Sequence, residues 1–371
     1  MILNPPHTTW LEINLAAVER NARYIIETTG VDFMAVVKGN AYGHGAVDVG
    51  KAALKGGASW LGVARLNEAM VLRDAGISAP VLVLGMVSTA EVDAAIENNV
   101  TLALSRIDAA EVFSRCAKAQ GKLLDVHLKV DTGMGRLGVL PDDVLALAQR
   151  ARELGGIRID GLFSHFAMAD RDHDPFMHVQ LGNFKKALQS LDEAAMRPKW
   201  IHICNTGASL TLPEAHFNMV RGGSSVVGFN PFSYRSLPEG MEQALTAWKA
   251  RLVSCKKLPA GWGIGYGLEY SASGDEWIGV VSAGFGDGIR RVPGNEVLID
   301  GQRLPVVGTT CMDQVMVRLP GEYPLDTEVV LIGTQGDETI LIEDVARRSS
   351  TVHVDFMMGL TARVPRVYYW D

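Results

Sequence analysis

The strongest constraint on the fold of this 371-residue chain is a regular alternation of short apolar runs and amphipathic segments between residues 31 and 225. The runs are FMAVVK (33–38), LGVA (61–64), VLVLG (81–85), TLALS (101–105), DVHLKV (125–130), IDGLFSH (159–165), WIHICN (200–205) and FNMVRGG (217–223). Runs this short are typical of buried parallel strands, and intervening segments such as DDVLALAQRARELGG have a helical period. Eight such units predict a closed (β/α)₈ barrel. The competing doubly wound sheet is disfavoured because no GxGxxG follows the first strand.

The character of the sequence changes after residue 230. FNPFSYRSLPEG (229–240) is rich in Pro, Ser and Gly and predicts a linker or excursion. Beyond it, β-branched runs such as WIGVVSAGFGDG, CMDQVMVRL and TEVVLIG alternate with turn signals, and the Asp-Gly of EVLIDGQRLPVVG predicts a tight hairpin. We therefore predict a cofactor-binding barrel domain over residues 1–240 and a mostly antiparallel β domain over 241–371. The first ~12 residues are a candidate to pair with this β domain.

Composition excludes several classes of function. The net charge of −7, from 35 basic and 42 acidic residues spread along the chain, leaves no basic stripe, so we expect no nucleic acid partner. No apolar run approaches the roughly 20 residues needed to span a bilayer, and the start MILNPPHTTW lacks a signal-like pattern, so we expect a cytoplasmic protein with no membrane partner. The four cysteines lie far apart without metal-binding spacing, which predicts free thiols and no metal site.

Polar residues fall at the predicted carboxyl ends of the strands, where barrels carry their chemistry. They are Lys38, Arg136, His165, Asn205, Thr206, Arg221, Gly222, Gly223 and Ser224. Each has an ordinary structural explanation, such as a lysine reaching solvent, a core histidine, or Arg221 paired with Glu214. Their shared placement at one barrel mouth favours a functional site instead.

The types of these rim residues indicate a cofactor. The small polar residues Thr206, Gly223 and Ser224 suit a phosphate after the last two strands. A lysine opposite a phosphate site suggests a cofactor that is held by a Schiff base to the lysine at one end and by its phosphate at the other. Together they indicate pyridoxal 5′-phosphate, with an arginine or an acid at its ring nitrogen.

Eight motifs identify a resemblance that covers nearly the whole chain. They are AVVKGNAYGHG (35–45), HLKVDTGMGRLG (127–138), SHFAMAD (164–170), MVRGG (219–223), GYGLEY (265–270), GFGDGIRR (284–291), CMDQVMV (311–317) and RVPRVY (363–368). In this order they resemble the alanine racemase family of fold-type III, pyridoxal phosphate-dependent amino acid racemases. The resemblance implies a barrel with a C-terminal β domain, and a cytoplasmic homodimer with shared active sites that makes D-alanine. Alanine is the first expected substrate; serine or a broader amino acid range is the alternative.

The resemblance also implies residue roles. Lys38 is similar to the lysine that holds the cofactor and acts on one face of the substrate, and Tyr266 of the partner subunit to the tyrosine that acts on the other. His165 matches the histidine beside that tyrosine, and a protonated His165 would favour its phenolate. The implied cofactor-binding set comprises Lys38, Tyr42, Arg136, His165, Asn205, Thr206, Arg221, Gly223 and Ser224. Arg221 matches the arginine at the ring nitrogen, which would restrain transamination.

The substrate end of the site resembles the family less closely. Arg136 matches a contact to the substrate carboxylate, and Met312 of the partner subunit matches a further one. Lys129 stands where some members carry a carbamylated lysine. Phe285 replaces the usual gate tyrosine, and Val354 falls where the family usually has another tyrosine, so we expect a wider entrance. A decarboxylase and a noncatalytic cofactor-binding protein are the rivals. The former would place an acid at the ring nitrogen, and the latter would lack the β domain.

Overall fold

The computed structural model describes residues 5–232 and 235–371, and the chain forms two compact units. One unit is Ala17–Glu242, and the other combines Gln243–Asp371 with the N-terminal segment that ends at Ala16. Residues 233 and 234 of the predicted linker, and the first four residues of the start MILNPPHTTW, lie outside the described residues.

The described residues of the unit Ala17–Glu242 form eight parallel strands. Strand β1 (Thr9–Asn14) belongs to the other unit. The eight are β2 (Asp32–Val36), β3 (Trp60–Val63), β4 (Val81–Val83), β5 (Thr101–Leu104), β6 (Leu124–Lys129), β7 (Ile157–Phe163), β8 (Trp200–His202) and β9 (Met219–Gly222). Their order in the sheet is β8-β7-β6-β5-β4-β3-β2-β9. The N–H of Arg221 donates to the carbonyl of Cys204 over 3.2 Å, which links the two ends into a nearly closed barrel. The predicted barrel is confirmed, with one strand in each predicted run.

Helices connect these strands, as the sequence period predicts. The α-helices of this part of the chain are Leu15–Thr29, Ala46–Lys55, Leu66–Asp74, Val92–Glu97, Ile107–Ala119, Val144–Leu154, Phe176–Glu193, Thr206–Thr211 and Ser224–Val227, and short 3₁₀ turns occur at Thr89–Glu91, Pro141–Asp143 and Pro213–Ala215. The helix Val144–Leu154 is representative, because it buries Val144, Leu147, Ala148 and Ala151 on one stripe. It ends at Gly155, whose φ of 65° a side chain would strain.

The second unit is a mostly antiparallel β structure, as predicted. Its further strands are β10 (Leu245–Leu258), β11 (Gly263–Ile264), β12 (Tyr270–Ser271), β13 (Glu276–Val281), β14 (Glu296–Ile299), β15 (Gln302–Val307), β16 (Val315–Leu319), β17 (Glu328–Gln335), β18 (Glu338–Ile340) and β19 (Arg366–Tyr369), with helices Ile342–Arg348 and His353–Met358. Nine strands form one sheet in the order β18-β17-β14-β15-β16-β13-β10-β1-β19. Asp300 and Gly301, with φ of 49° and 71°, form the predicted hairpin turn between β14 and β15. Strand β1 pairs antiparallel with β10 and parallel with β19.

None of the helices formed by the described residues combines the length and apolar character needed to cross a bilayer.

Candidate active site

A cavity of about 500 Å³ opens at the carboxyl ends of the barrel strands. The predicted residues among its lining are Lys38, Tyr42, Lys129, Arg136, His165, Asn205, Thr206, Arg221, Gly223 and Ser224. The structure thus brings together all the predicted site residues of the barrel unit. They arrive from separate loops because parallel strands of a barrel end at the same rim.

A left-handed turn carries Lys38 and Tyr42 into this cavity. Gly39, Asn40, Ala41 and Tyr42 have φ values of 60°, 53°, 52° and 54°, and the N–H of Gly43 donates to the carbonyl of Gly39 over 2.9 Å. Left-handed backbone is costly for residues with a Cβ, so this turn stores strain. Gly39, at its first position, avoids that cost.

The surroundings of Lys38 favour its neutral amine. Burial lowers the pKa of Lys38, and the nearby cations Arg136 and Arg221 lower it further, whereas the Glu68 carboxylate opposes them. A neutral amine is the form that can attack a carbonyl or accept a proton. The lysine that ends an apolar strand therefore lies in a setting that suits reaction.

The opposite rim is a tight cradle of small and hydroxyl residues. Thr206 Oγ1 accepts hydrogen bonds from the N–H groups of Gly223 and Ser225 over 3.3 and 3.4 Å. A Cβ on Gly223 would lie 2.0 Å from the Tyr42 hydroxyl, so only glycine lets Tyr42 reach this rim. Burial, with a smaller contribution from Glu68, raises the pKa of Tyr42 to about 12, which keeps its hydroxyl a hydrogen-bond donor. Asn205 caps the next helix by accepting from the N–H of Ala208.

Arg221 lies at the base of the cavity and is 3% exposed. Its Nη1 donates to His202 Nδ1 over 2.8 Å, and its Nη2 donates to the carbonyls of Ser164 and Ile203 over 2.7 and 3.1 Å. Burial lowers the pKa of Arg221 to about 10, so the guanidinium remains charged at neutral pH. The alternative pairing of Arg221 with Glu214 is wrong, because histidine and carbonyl acceptors hold the guanidinium instead.

His165 lies beside Arg221, with Nδ1 3.2 Å from Arg221 Nη2. Since a guanidinium only donates, Nδ1 accepts and Nε2 carries the hydrogen. Burial and the neighbouring basic side chains of Arg221, Lys129, Arg136 and Lys38 hold the pKa of His165 well below its usual range. These surroundings favour a neutral imidazole with an Nε2–H available to donate, rather than the protonated form that would favour a phenolate.

Lys129 ends strand β6 and is 5% exposed. Its Nζ lies 4.2 Å from the centre of the Phe163 ring, and burial with Arg221 and Arg136 holds its pKa well below the usual range. Arg136 itself lies in an exposed loop whose N–H groups at Gly133, Gly135 and Arg136 all donate to Asp131. The guanidinium groups of Arg136 and Arg221, rather than Lys129, give this part of the cavity positive charge, which suits anionic groups.

Tyr266 and Met312 belong to the second unit. Tyr266 begins the 3₁₀ turn Tyr266–Leu268 and is 71% exposed, and Met312 is 54% exposed. Phe285 is also exposed, whereas Val354 is partly buried in the helix His353–Met358. Exposed aromatic and Met side chains are typical of residues that another surface covers.

Two residues of the site were missed by sequence reasoning. Glu68 accepts a hydrogen bond from the N–H of Gly39, next to Lys38, and His202 accepts one from Arg221. Glu68 lies three residues after Arg65 at the start of a helix, and this position predicts a helix cap. It does not predict the contact with the loop of Lys38. His202 lies within an apolar run, which predicts a core residue, and its side chain is fully buried.

The two units define a class of two-domain barrel protein whose chemistry lies at the barrel mouth. Residues 13–231 match the family model of the alanine racemase N-terminal domain, and residues 245–368 match that of the alanine racemase C-terminal domain. The chain therefore belongs to the alanine racemase family, and it is an amino acid racemase, an isomerase.

Individual relatives agree with this family. The chain is 41% identical to the alanine racemase of Symbiobacterium thermophilum over 99% of both chains, and 41% identical to that of Geobacillus stearothermophilus over 97% of this chain and 93% of the relative. It superimposes on the alanine racemase of Bacillus anthracis with bound L-Ala-P with a TM-score of 0.93, at 36% identity, covering 100% of this chain and 97% of that one. The histidine racemase of Leuconostoc mesenteroides gives a TM-score of 0.92 at 31% identity over 99% of both chains.

Proposed function

We propose that this protein racemises alanine, converting L-alanine to D-alanine and back, with pyridoxal 5′-phosphate held in the barrel cavity. The observation that carries the proposal is the meeting of Lys38, the donor-only Arg221 and the Thr206–Gly223 cradle in that single cavity. The named relatives, which are alanine racemases, support the choice of substrate.

The residues present fit this cofactor. Gly223 leaves room for the Tyr42 hydroxyl, and with Asn205, Thr206 and Ser224, which also line the cavity, it would form the phosphate end. Lys38 would hold the cofactor covalently, and Arg221 and Arg136 would lie at its ring nitrogen and phenolic oxygen. Pyridoxal phosphate supplies the conjugated ring that stabilises negative charge on the substrate Cα.

Two protein groups on opposite faces of the substrate would then move protons. Lys38 Nζ, whose lowered pKa favours the neutral amine, takes or returns the Cα proton on one face. Tyr266 of the partner subunit does so on the other face, and the Nε2–H of His165 donates to its phenol oxygen. Arg136 of the same barrel and Met312 of the partner subunit hold the substrate carboxylate. The proposal therefore includes a cytoplasmic homodimer in which the barrel binds the cofactor and the second unit supplies Tyr266.

Chiral chromatography of L-alanine incubated with the protein and pyridoxal phosphate tests this function. Formation of D-alanine supports the racemase. Loss of CO₂ would indicate a decarboxylase. Arg221 disfavours that activity, because decarboxylases of this kind have an acidic residue at the ring nitrogen of the cofactor. An absence of turnover would indicate a noncatalytic cofactor-binding protein.

A broader substrate range is the second candidate. The histidine racemase with a TM-score of 0.92 has a nearly identical fold, so the fold does not select alanine. Phe285, in place of the usual gate tyrosine, removes a hydroxyl from the proposed entrance. A panel of kcat/KM values for alanine, serine, lysine, arginine and histidine separates the two, and a strong preference for alanine would reject the broader range.

A further inference from the structure

The carboxylate of Glu68 joins two loops at the barrel mouth. Its Oε1 accepts from the N–H of Gly39 over 2.6 Å, directly after Lys38. Its Oε2 accepts from the N–H groups of Ala64 and Arg65 over 2.7 and 3.1 Å, directly after strand β3. One side chain therefore ties the loop that carries Lys38 to the end of the neighbouring strand. Hydrogen bonds to an ionised acceptor are stronger than those between neutral groups.

The loop that Glu68 holds is strained. Its residues from Gly39 to Tyr42 all have φ between 52° and 60°, and such backbone persists only when the surrounding structure enforces it. The N–H of Gly39 lies at the start of this turn, where a helical turn leaves its own donors without internal partners. Glu68 supplies the missing acceptor.

We infer that Glu68 is a positioning residue for Lys38: by binding the N–H of Gly39 it holds the left-handed turn, and through the turn it aims the Lys38 amine into the cavity. The same carboxylate is the negative charge beside an amine otherwise surrounded by the cations Arg136 and Arg221. This inference rests on the proposed function, since it concerns the residue that would act there.

The alternative is that Glu68 only caps the start of its own helix. Another glutamate of this chain provides a matched control for that alternative. Glu91 has the same local role in the turn Thr89–Glu91, where its carboxylate accepts from the N–H of Ser88 over 2.7 Å. Neither carboxylate lines the barrel cavity, and the hydrogen bond that Glu91 accepts comes from its own turn. Removal of either carboxylate therefore costs one helix start, but only Glu68 reaches the loop of Lys38.

The test compares Glu68→Ala, Glu68→Gln and Glu91→Ala in the full chain purified as the holoenzyme. Hydrogen exchange at the Gly39 amide, Tm, kcat and KM for alanine are measured for each. In Glu68→Ala we expect exchange at Gly39 to accelerate about tenfold, the effect of losing one charge-assisted hydrogen bond. We expect kcat to fall about tenfold with KM changed less than about twofold, because the lysine and not the substrate is displaced.

The control and the conservative variant separate the alternatives. Glu91→Ala should lose a similar amount of thermal stability with kcat and the Gly39 exchange rate unchanged. Glu68→Gln keeps one acceptor oxygen and should lie between wild type and Glu68→Ala. Wild-type exchange at Gly39 in Glu68→Ala, or an equal fall of kcat in Glu91→Ala, would overturn the inference. If the wild-type chain racemises no amino acid, the proposed function fails, and exchange at Gly39 still decides whether Glu68 holds the turn.

Discussion

Arg221 Nη1 donates to His202 Nδ1 over 2.8 Å, and this one contact fixes the hydrogens of a buried chain. Because arginine cannot accept, His202 carries its hydrogen on Nε2 and donates to His127 Nδ1 over 2.9 Å. His127 must then carry its own hydrogen on Nε2, an atom without a hydrogen-bond partner among the described residues; its ring lies 5.2 Å from that of Trp60. Burial lowers the pKa of both imidazoles, so His202 is a neutral acceptor for the charged Arg221.

Replacement of Arg221 by glutamate tests what that charge does. A carboxylate at the cofactor's ring nitrogen would hold a proton on it and strengthen electron withdrawal, which favours side reactions over clean racemisation. We expect Arg221→Glu to raise the ratio of transamination to racemisation by about tenfold or more. Pyruvate and D-alanine are measured in the same incubation, with Arg221→Gln as the control that removes the charge without adding an acid. An unchanged ratio in Arg221→Glu would reject this role.

Much of this fold could be predicted because its elements are encoded locally. Each barrel strand is a short apolar run, and each helix has an apolar stripe, so periodicity alone indicates the (β/α)₈ order. The Asp-Gly pair at 300–301 likewise predicts its hairpin, since both residues tolerate positive φ. The predicted residues of the barrel mouth meet because the ends of parallel strands share one rim.

The rest depends on tertiary contacts that no local pattern carries. The role of Glu68 exists only because residues 39–42 turn left-handed and bring the N–H of Gly39 to its carboxylate. The neutral state of His165 follows from burial among Arg221, Lys129, Arg136 and Lys38, which are distant in sequence. The match of Val354 to the family pattern depends on its spacing from RVPR across the helix His353–Met358 and the following turn, and no local motif fixes that spacing.

The buried histidines predict how stability varies with pH. Burial and Arg221 hold the pKa of His127 at about 3, below its unfolded value of about 6.5. Between these two pH values the unfolded chain binds a proton at His127 that the folded chain does not. The contribution of neutral His127 to the free energy of unfolding is therefore complete above about pH 6.5, and as pH falls below that value it is lost at about 1.4 kcal/mol per pH unit. We expect His127→Gln to flatten the dependence of unfolding free energy on pH between 5 and 6 by about that amount. Equal slopes in denaturant titrations of His127→Gln, wild type and the control His173→Gln, whose side chain is 90% exposed, would contradict this.

Gly223 predicts a steric test of the phosphate cradle. A Cβ at this position would lie 2.0 Å from the hydroxyl oxygen and 2.5 Å from the Cζ of Tyr42, so Gly223→Ala must displace the tyrosine from the rim. We expect the dissociation constant of pyridoxal phosphate to rise about tenfold or more, measured by absorbance titration. Gly182→Ala is the control, because nothing lies within 4 Å of a Cβ there. Equal affinities in the two variants would place the phosphate elsewhere.

Lys129 predicts a covalent modification. Because its pKa is held low, the neutral amine can attack CO₂, forming an N–C bond and releasing a proton, and Arg136 and Arg221 would stabilise the resulting carbamate. We expect native mass spectra in bicarbonate to show the mass of one added CO₂, reversed by acid and absent in Lys129→Met. Lys199→Met is the control, since Lys199 also lies over an aromatic ring, 4.6 Å from that of Trp200, but is exposed. An unmodified mass, or one unaffected by Lys129→Met, would remove the carbamate.

If a partner subunit supplies Tyr266, as proposed, two inactive variants should restore each other's activity. Lys38→Ala and Tyr266→Phe each remove one of the two proton-transfer groups, and we expect each to lower racemisation by about 10²-fold to 10⁴-fold. In a mixed dimer, one barrel keeps its own Lys38 and receives the intact Tyr266 of the Lys38→Ala subunit, whereas the other site lacks both groups. After subunits are mixed by unfolding and refolding, half of the dimers are mixed, and about one quarter of wild-type activity should return. If Tyr266 acted on the barrel of its own chain, no mixed dimer would contain a complete site, and activity would stay at the level of the single variants.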